Sequence, residues 1–122
     1  MESILTSIKK LLGISETDTS FDTDITMDIN TELAELTQIG VGPSEGFSIE
    51  DATAVWTDFI PNNIKKLEFV KSYVHLNVKL IFDPPSSSAV IEAINRKIDK
   101  LEWRIQVAAD MAEPKEEVIQ NE

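Results

Sequence analysis

The chain has 122 residues, which is the size of one domain and is enough to bury a single hydrophobic core. It contains no cysteine, and this excludes a disulfide-stapled scaffold and any metal site built from thiolates. No apolar stretch has the length of a membrane span and no signal peptide is visible, so we expect a chain that folds in a cytoplasm.

The charge is strongly acidic and unevenly distributed. The formal net charge is −11, and residues 1–60 hold 12 acidic but only 2 basic side chains. No basic residue occurs between Lys10 and Lys65, so this stretch should repel nucleic-acid phosphate. The simplest interpretation of such a surface is that it keeps the protein soluble.

Two amphipathic helices are predicted in the first third of the chain. The first spans residues 2–12, because apolar side chains recur there at helical spacing, and Gly13 ends it. The second spans about residues 19–38 and ends at the turn that contains Gly40 and Gly42. Its apolar stripe is formed by Phe21, Ile25, Ile29, Leu33 and Leu36.

Residues 40–60 are predicted to form a long irregular connection. The sequence GVGPSEGF is typical of turns, and a short helical turn is expected around residues 51–55. Phe47 and Ile49 alternate with polar neighbours, as in a short extended piece. We expect Trp56, Phe59 and Ile60 to hold the connection on the core.

The third predicted helix begins near Pro61 or Asn62 and ends at Phe82 or Asp83, before two prolines. Its apolar residues cover a wide arc, which predicts a central helix that packs on more than one side. The main stripe is formed by Ile64, Leu67, Val70, Val74, Val78 and Ile81.

The fourth predicted helix opens at the serines of residues 86–88 and runs to about Ala109. Its stripe is formed by Val90, Ile94, Ile98, Leu101 and Ile105. These patterns predict an all-α, four-helix bundle-like domain over residues 1–110, with the long connection between helices 2 and 3. Residues 111–122 are predicted to be an acidic, disordered tail.

No catalytic, cofactor-binding or metal-binding pattern is present. His75 is the only histidine and has no cysteine partners for a structural zinc site. The aspartates that begin at Asp18 do not fit an EF-hand loop, since Thr23 and Ile29 stand where glycine and glutamate are needed. We therefore predict no cofactor, no metal and no enzymatic activity.

Several specific segments resemble a known family. They are residues 39–42 with 47–49, residues 56–59, residues 82–85 with the serines that follow, and residues 101–104. With these segments the chain resembles, over residues 4–105, the small head–tail connector proteins of long-tailed bacteriophages, which are also called adaptor or DNA-packaging proteins.

The resemblance implies a helical subunit that assembles as a ring below the portal of the filled head. Such a ring extends the DNA channel and gives the tail, or a stopper protein, its docking surface. The implied partners are other copies of the chain, the portal protein and a stopper or tail-completion protein. DNA would pass through without specific binding, and no membrane is involved. The implied location is the head–tail junction of the virion, with synthesis in the bacterial cytoplasm and the C-terminal segment reaching the portal.

Two sets of residues are candidates for these roles. An acidic channel wall would let DNA slide, and the candidate channel-facing acids are Asp22, Asp24, Asp28, Glu32 and Glu35. The last helix has basic residues interleaved with acids, which is typical of a protein interface rather than a phosphate-binding stripe. The candidates for the interface with another subunit or a partner are Arg96, Lys97, Lys100, Trp103 and Arg104.

Two other functions stay open at this point. An acidic protein can mimic DNA and inhibit a nucleic-acid-binding protein, provided that its carboxylates are spaced like phosphates on one exposed face. A small enzyme with buried carboxylates is the third reading, which a carboxylate pair of strongly perturbed pKa in a deep pocket would favour.

Overall fold

The computed structural model describes residues 2–61 and 64–112, and within them the chain is all-α, as predicted. The described residues form five helices. They are α1 (Ile4–Leu11), α2 (Asp22–Gln38), α3 (Trp56–Phe59), α4 (Ile64–Phe82) and α5 (Ser88–Ala112). The four longer helices are those that the apolar periodicity predicts, and α3 lies in the long connection between the second and third of them.

Helix α4 is the centre of the fold. It packs against α1, α2 and α5, and Val70, Val74 and Val78 along its length are fully buried. This confirms the central position that its wide apolar arc predicted. Five residues connect α4 to α5, and Arg104 near the end of α5 lies over the ring of Phe69 near the start of α4. The two helices therefore run antiparallel.

The helix ends differ from the prediction by a few residues, because local caps decide them. Ser3 caps α1, with its Oγ accepting a hydrogen bond from the Thr6 N–H at 3.0 Å. Helix α2 begins at Asp22 rather than near Thr19, since Asp18 accepts from the Ser20 N–H at 3.0 Å and holds a turn there. Phe21 precedes the helix and is 43% exposed, so its assignment to the buried stripe was wrong.

The short helix of the connection is displaced from its predicted position. It spans Trp56–Phe59 instead of residues 51–55. Asp51 accepts from the Thr53 N–H at 3.0 Å, which forms a turn, whereas the Asp58 side chain accepts from the Val55 N–H at 2.9 Å and caps the helix one turn later.

Buried aromatic residues and one amide hold the connection in place, as the sequence led us to expect for Trp56 and Phe59. The Trp56 indole N–H donates to Ser7 Oγ at 2.8 Å, which ties α3 to α1. Asn30 on α2 makes two bonds to the backbone of Ile49: its amide donates to the carbonyl at 2.9 Å and its oxygen accepts from the N–H at 2.7 Å. The connection is thus fixed to both α1 and α2.

Helix α5 continues to Ala112, three residues past its predicted end. The remainder of the predicted tail, residues 113–122, lies outside the described residues, as does Asn62 at the predicted start of the third helix. Helix α4 has its first residue at Ile64.

Gly42 sits where the connection passes over a buried ring. Its φ is +83°, and a Cβ atom at this position would collide with the side chain of Phe59, which is fully buried. Gly40 has a similar φ of +91° but open space around it. A substitution at Gly40 would therefore cost backbone strain alone, whereas the same substitution at Gly42 would cost backbone strain and a collision with Phe59.

We expect Gly42→Ala to destabilise the fold more than Gly40→Ala does. Both variants force alanine into the left-handed region, at about 1–2 kcal/mol. Gly42→Ala must also displace Phe59 from a packed core, at a further cost of about 1–3 kcal/mol. Urea unfolding of the two variants measures the difference, and equal free energies of unfolding would contradict the predicted contact.

Candidate functional site

The described residues contain no cluster of three or more histidine, aspartate or glutamate side chains placed to hold a metal ion. No described helix is long and apolar enough to cross a membrane. His75 is half-buried on α4, and burial, followed by the charge of Lys79, lowers its pKa. Its imidazole is therefore neutral at pH 7, in keeping with a packing role.

The five acids of α2 that the sequence singled out have different environments. Asp22 forms an ion pair with Lys9 of α1, with 2.8 Å between Nζ and Oδ1. Lys9 is only 3% exposed, and its ammonium also donates to the carbonyl of Glu16 at 3.2 Å. Asp22 thus neutralises a buried cation and helps to fix α1 on α2.

Glu32 points into the protein and is 6% exposed. Burial, reinforced by the charges of Glu35 and Asp28, raises the pKa of Glu32 to about 7. Burial also raises the pKa of Tyr73 on α4 to about 12, with a contribution from the Glu32 charge. The carboxyl of Glu32 therefore lies in the interface between α2 and α4, near Tyr73.

The remaining three acids share one solvent-facing side of α2. Asp24, Asp28 and Glu35 are spaced at i, i+4 and i+11, which places them along one line of the helix. Asp24 and Glu35 are exposed, whereas partial burial and the nearby charge of Asp24 raise the pKa of Asp28. Met27 lies beside them and is 64% exposed, so this face is acidic with an apolar residue in it.

Asp24 and Asp28 border a cleft that the sequence did not reveal. The cleft lies between the start of α2, the connection before it and the end of α4, and its volume is about 640 Å³. Its apolar lining consists of Leu12, Ile14, Phe21, Met27, Ile81 and Phe82, and its acids are Asp24, Asp28 and Asp83. Phe21 and Phe82 meet edge to face, with ring centres 5.3 Å apart.

Ile81 is the residue on which the sequence prediction failed here. Its position in the α4 stripe predicted burial, yet it is 59% exposed, because it lies on the side of the last turn of α4 that faces the cleft. Only the packing of the other helices reveals this exposure.

The five candidates on α5 lie on its exposed side. Arg96, Lys100 and Trp103 follow one line at i, i+4 and i+7, and Lys97 and Arg104 flank them. Trp103 is 63% exposed. Arg96 lies 3.6 Å from Glu92 in an exposed ion pair, whereas Arg104 packs 5.9 Å from the ring centre of Phe69. We call Arg96, Lys97, Lys100, Trp103 and Arg104 the α5 stripe.

A family model for the phage connector protein matches residues 4–112 of this chain. The chain belongs to the phage connector family. No curated protein and no solved structure matches it. The resemblance seen in the sequence is thereby confirmed, and the family is a structural one.

As a member of a structural family, the chain has its surfaces as candidate functional sites. Among the described residues, Glu32 is the one carboxyl with a strongly raised pKa, but it is absent from the lining of the cleft that holds Asp24 and Asp28. The carboxylates of α2 are divided among an ion pair, a buried site and an exposed line. This division does not favour a mimic of regularly spaced phosphates.

We expect Glu32→Gln to change the pH dependence of connector stability. The pKa of Glu32 is about 7 in the folded chain and about 4.3 in an unfolded one, so the folded state binds its proton more tightly. The wild type therefore loses stability as the pH rises from about 4 to 7, and glutamine removes this loss. The variant should match the wild type near pH 4 and exceed it by about 1–3 kcal/mol at pH 8.

Urea unfolding from pH 4 to 8, with the difference between variant and wild type taken at each pH, measures this effect. Glu45→Gln is the control, since it removes the same charge from an exposed residue outside α2 that does not contribute to the pKa of Glu32. Its difference from the wild type should be small and nearly constant. A Glu32→Gln difference that does not vary with pH would show that the carboxyl is not buried as described.

Proposed function

We propose that this connector is a head–tail connector subunit that assembles as a ring below the portal, extends the DNA channel and docks the tail or a stopper protein. The family match over residues 4–112 is the observation that carries the proposal. The proposed partners are other copies of the chain, the portal protein and the stopper or tail-completion protein. The subunit acts at the head–tail junction of the virion without catalysis, and the segment that follows α5 contacts the portal.

Two unlike surfaces on one subunit support a ring. A head-to-tail ring requires two different faces that fit each other. Such contacts form a ring when the rotation from one subunit to the next adds up to a full turn, and otherwise they form a filament. The acid-bordered cleft at α2 and α4 and the α5 stripe are unlike in charge and lie on different helices.

The exposed acids of α2 support an open channel for DNA. A wall of like charge repels phosphate and prevents tight binding, and α2 has no basic residue. We propose that Glu35 supplies this charge, with Asp28 and Asp24 at the edge of the wall, where it meets the next subunit. Asp22 and Glu32 are also candidates from the sequence, but the ion pair of Asp22 with Lys9 and the burial of Glu32 give them a smaller part in it.

Electron microscopy of the purified chain at high concentration, alone and mixed with its portal protein, tests the ring. We expect closed rings with a central opening, free in solution or seated on the portal. Particles that remain single subunits in both samples would contradict the proposal.

Charge reversal at Glu35 tests the channel wall. We expect rings of Glu35→Lys to retain duplex DNA at low salt and to release it as salt increases, because each new phosphate contact releases counterions. Glu68→Lys on α4 is the matched control, since Glu68 is exposed and the charge change is identical. A gel-shift titration measures retention, and equal retention by the two variants would place Glu35 away from the channel.

A further inference from the structure

We propose that Trp103 of one connector subunit docks into the acid-bordered cleft of the next copy, where Arg96 and Lys100 face Asp24 and Asp28. This inference rests on the proposed ring and names the contact that builds it. The cleft of one subunit and the α5 stripe of its neighbour would then form the repeating seam.

The cleft has the properties of a receiving site. Met27 and Ile81 expose more than half of their surface and both belong to the lining of the cleft, whereas exposed apolar residues of an ordinary surface are scattered singly. The volume of about 640 Å³ falls within the range of clefts that bind a compact group. Three acids, Asp24, Asp28 and Asp83, surround the apolar lining, so the occupant should combine an apolar body with positive charge.

The α5 stripe has the complementary properties. Trp103 is a large, exposed aromatic residue of the type that anchors protein interfaces when it enters a pocket. Arg96 and Lys100 lie on the same line of the helix, two turns and one turn before Trp103, respectively. The distance along the axis from Arg96 to Trp103 is about 10 Å, comparable to the length of a cleft of this volume.

A subunit cannot fill its own cleft with Trp103. The cleft is at the end of α4, next to the start of α5, whereas Trp103 lies about 22 Å further along α5. The packing of Arg104 over Phe69 fixes this part of α5 near the opposite end of α4. The contact must therefore join two molecules. Because each copy carries both the cleft and the α5 stripe, the same contact can be repeated from one copy to the next.

The distribution of charge favours a second copy as the occupant. On α1 and α4, Lys9, Lys10, Lys71 and Lys79 each form an ion pair with a carboxylate of their own chain. Lys97 and Lys100 of the stripe have no such pair with any carboxylate among the described residues. In a chain of net charge −11, these available bases are the natural counterpart of the acid border on another copy.

Charge exchange between the two surfaces tests the contact. The cleft variant carries Asp24→Lys and Asp28→Lys, and the stripe variant carries Arg96→Glu and Lys100→Glu. We expect each variant to lose self-association in sedimentation velocity, and a chain with all four changes to regain it, because the charges again match. Glu16→Lys with Glu45→Lys is the control for net charge and should associate like the wild type.

The aromatic anchor has its own test. Trp103→Ala should raise the concentration needed for association at least about tenfold, the effect of losing an interface hot spot. Val90→Ala removes another exposed apolar residue from α5, away from the stripe, and should leave association unchanged. An unchanged association of Trp103→Ala would overturn the proposed docking.

Cysteine cross-linking gives an answer even where association is weak, since the chain has no native cysteine. Oxidised Met27→Cys/Lys100→Cys should form a ladder of covalent oligomers, and Ser48→Cys/Lys100→Cys should form far fewer. Rings that persist without this ladder, or without rescue by charge exchange, would refute the docking and leave the ring function standing. A wild type that forms no oligomer, with or without the portal, together with no ladder, would refute both.

Discussion

The fold depends on covering the apolar surface of α4 from more than one side. Val70, Val74 and Val78 are fully buried because α1, α2 and α5 all pack against this helix. Each such side chain contributes about 1.5–3 kcal/mol when it leaves water, so no single neighbour would suffice. The cover ends at the last turn, where Ile81 is exposed, and the cleft lies there. The same constraint thus fixes the positions of the helices and leaves an apolar surface uncovered at this end of α4.

The connection between α2 and α4 is irregular but firmly attached. Its backbone N–H and C=O groups do not pair with one another as they would in a helix or a sheet, so side chains supply hydrogen-bond partners. Asn30 holds Ile49 by two hydrogen bonds, and Trp56 is both buried and bonded to Ser7. These contacts couple the connection to α1 and α2, and therefore to the helix that carries the exposed acids. A surface that must keep its shape in an assembly benefits from such attachment.

Apolar periodicity was sufficient to predict the four long helices and the central position of α4, because burial repeats with the helical period. It could not predict the exposure of Phe21, Ile81 and Val90, all of which the stripes had placed in the core, because exposure depends on where neighbouring elements end. Only a weak feature of the sequence indicated the burial of Glu32, namely its position immediately before Leu33, which is buried. The cleft combines residues from distant parts of the chain, and no local pattern indicates it. The resemblance correctly predicted the family, but a family pattern of core residues does not show which surfaces meet.

A net charge of −11 per subunit makes self-assembly unfavourable at long range, and this limits how copies can meet. At physiological salt the repulsion is screened beyond about 8 Å, so contacts at shorter distance decide the outcome. Under the proposed docking, the bases of α5 face the acids beside the cleft, and an apolar anchor supplies affinity that salt does not remove. Glu35 lies about 10 Å from Asp28 along α2, beyond this seam. In such a ring the charges of Arg96 and Lys100 would be matched by acids within the seam, and Glu35 would still repel the phosphates of DNA that passes along the wall.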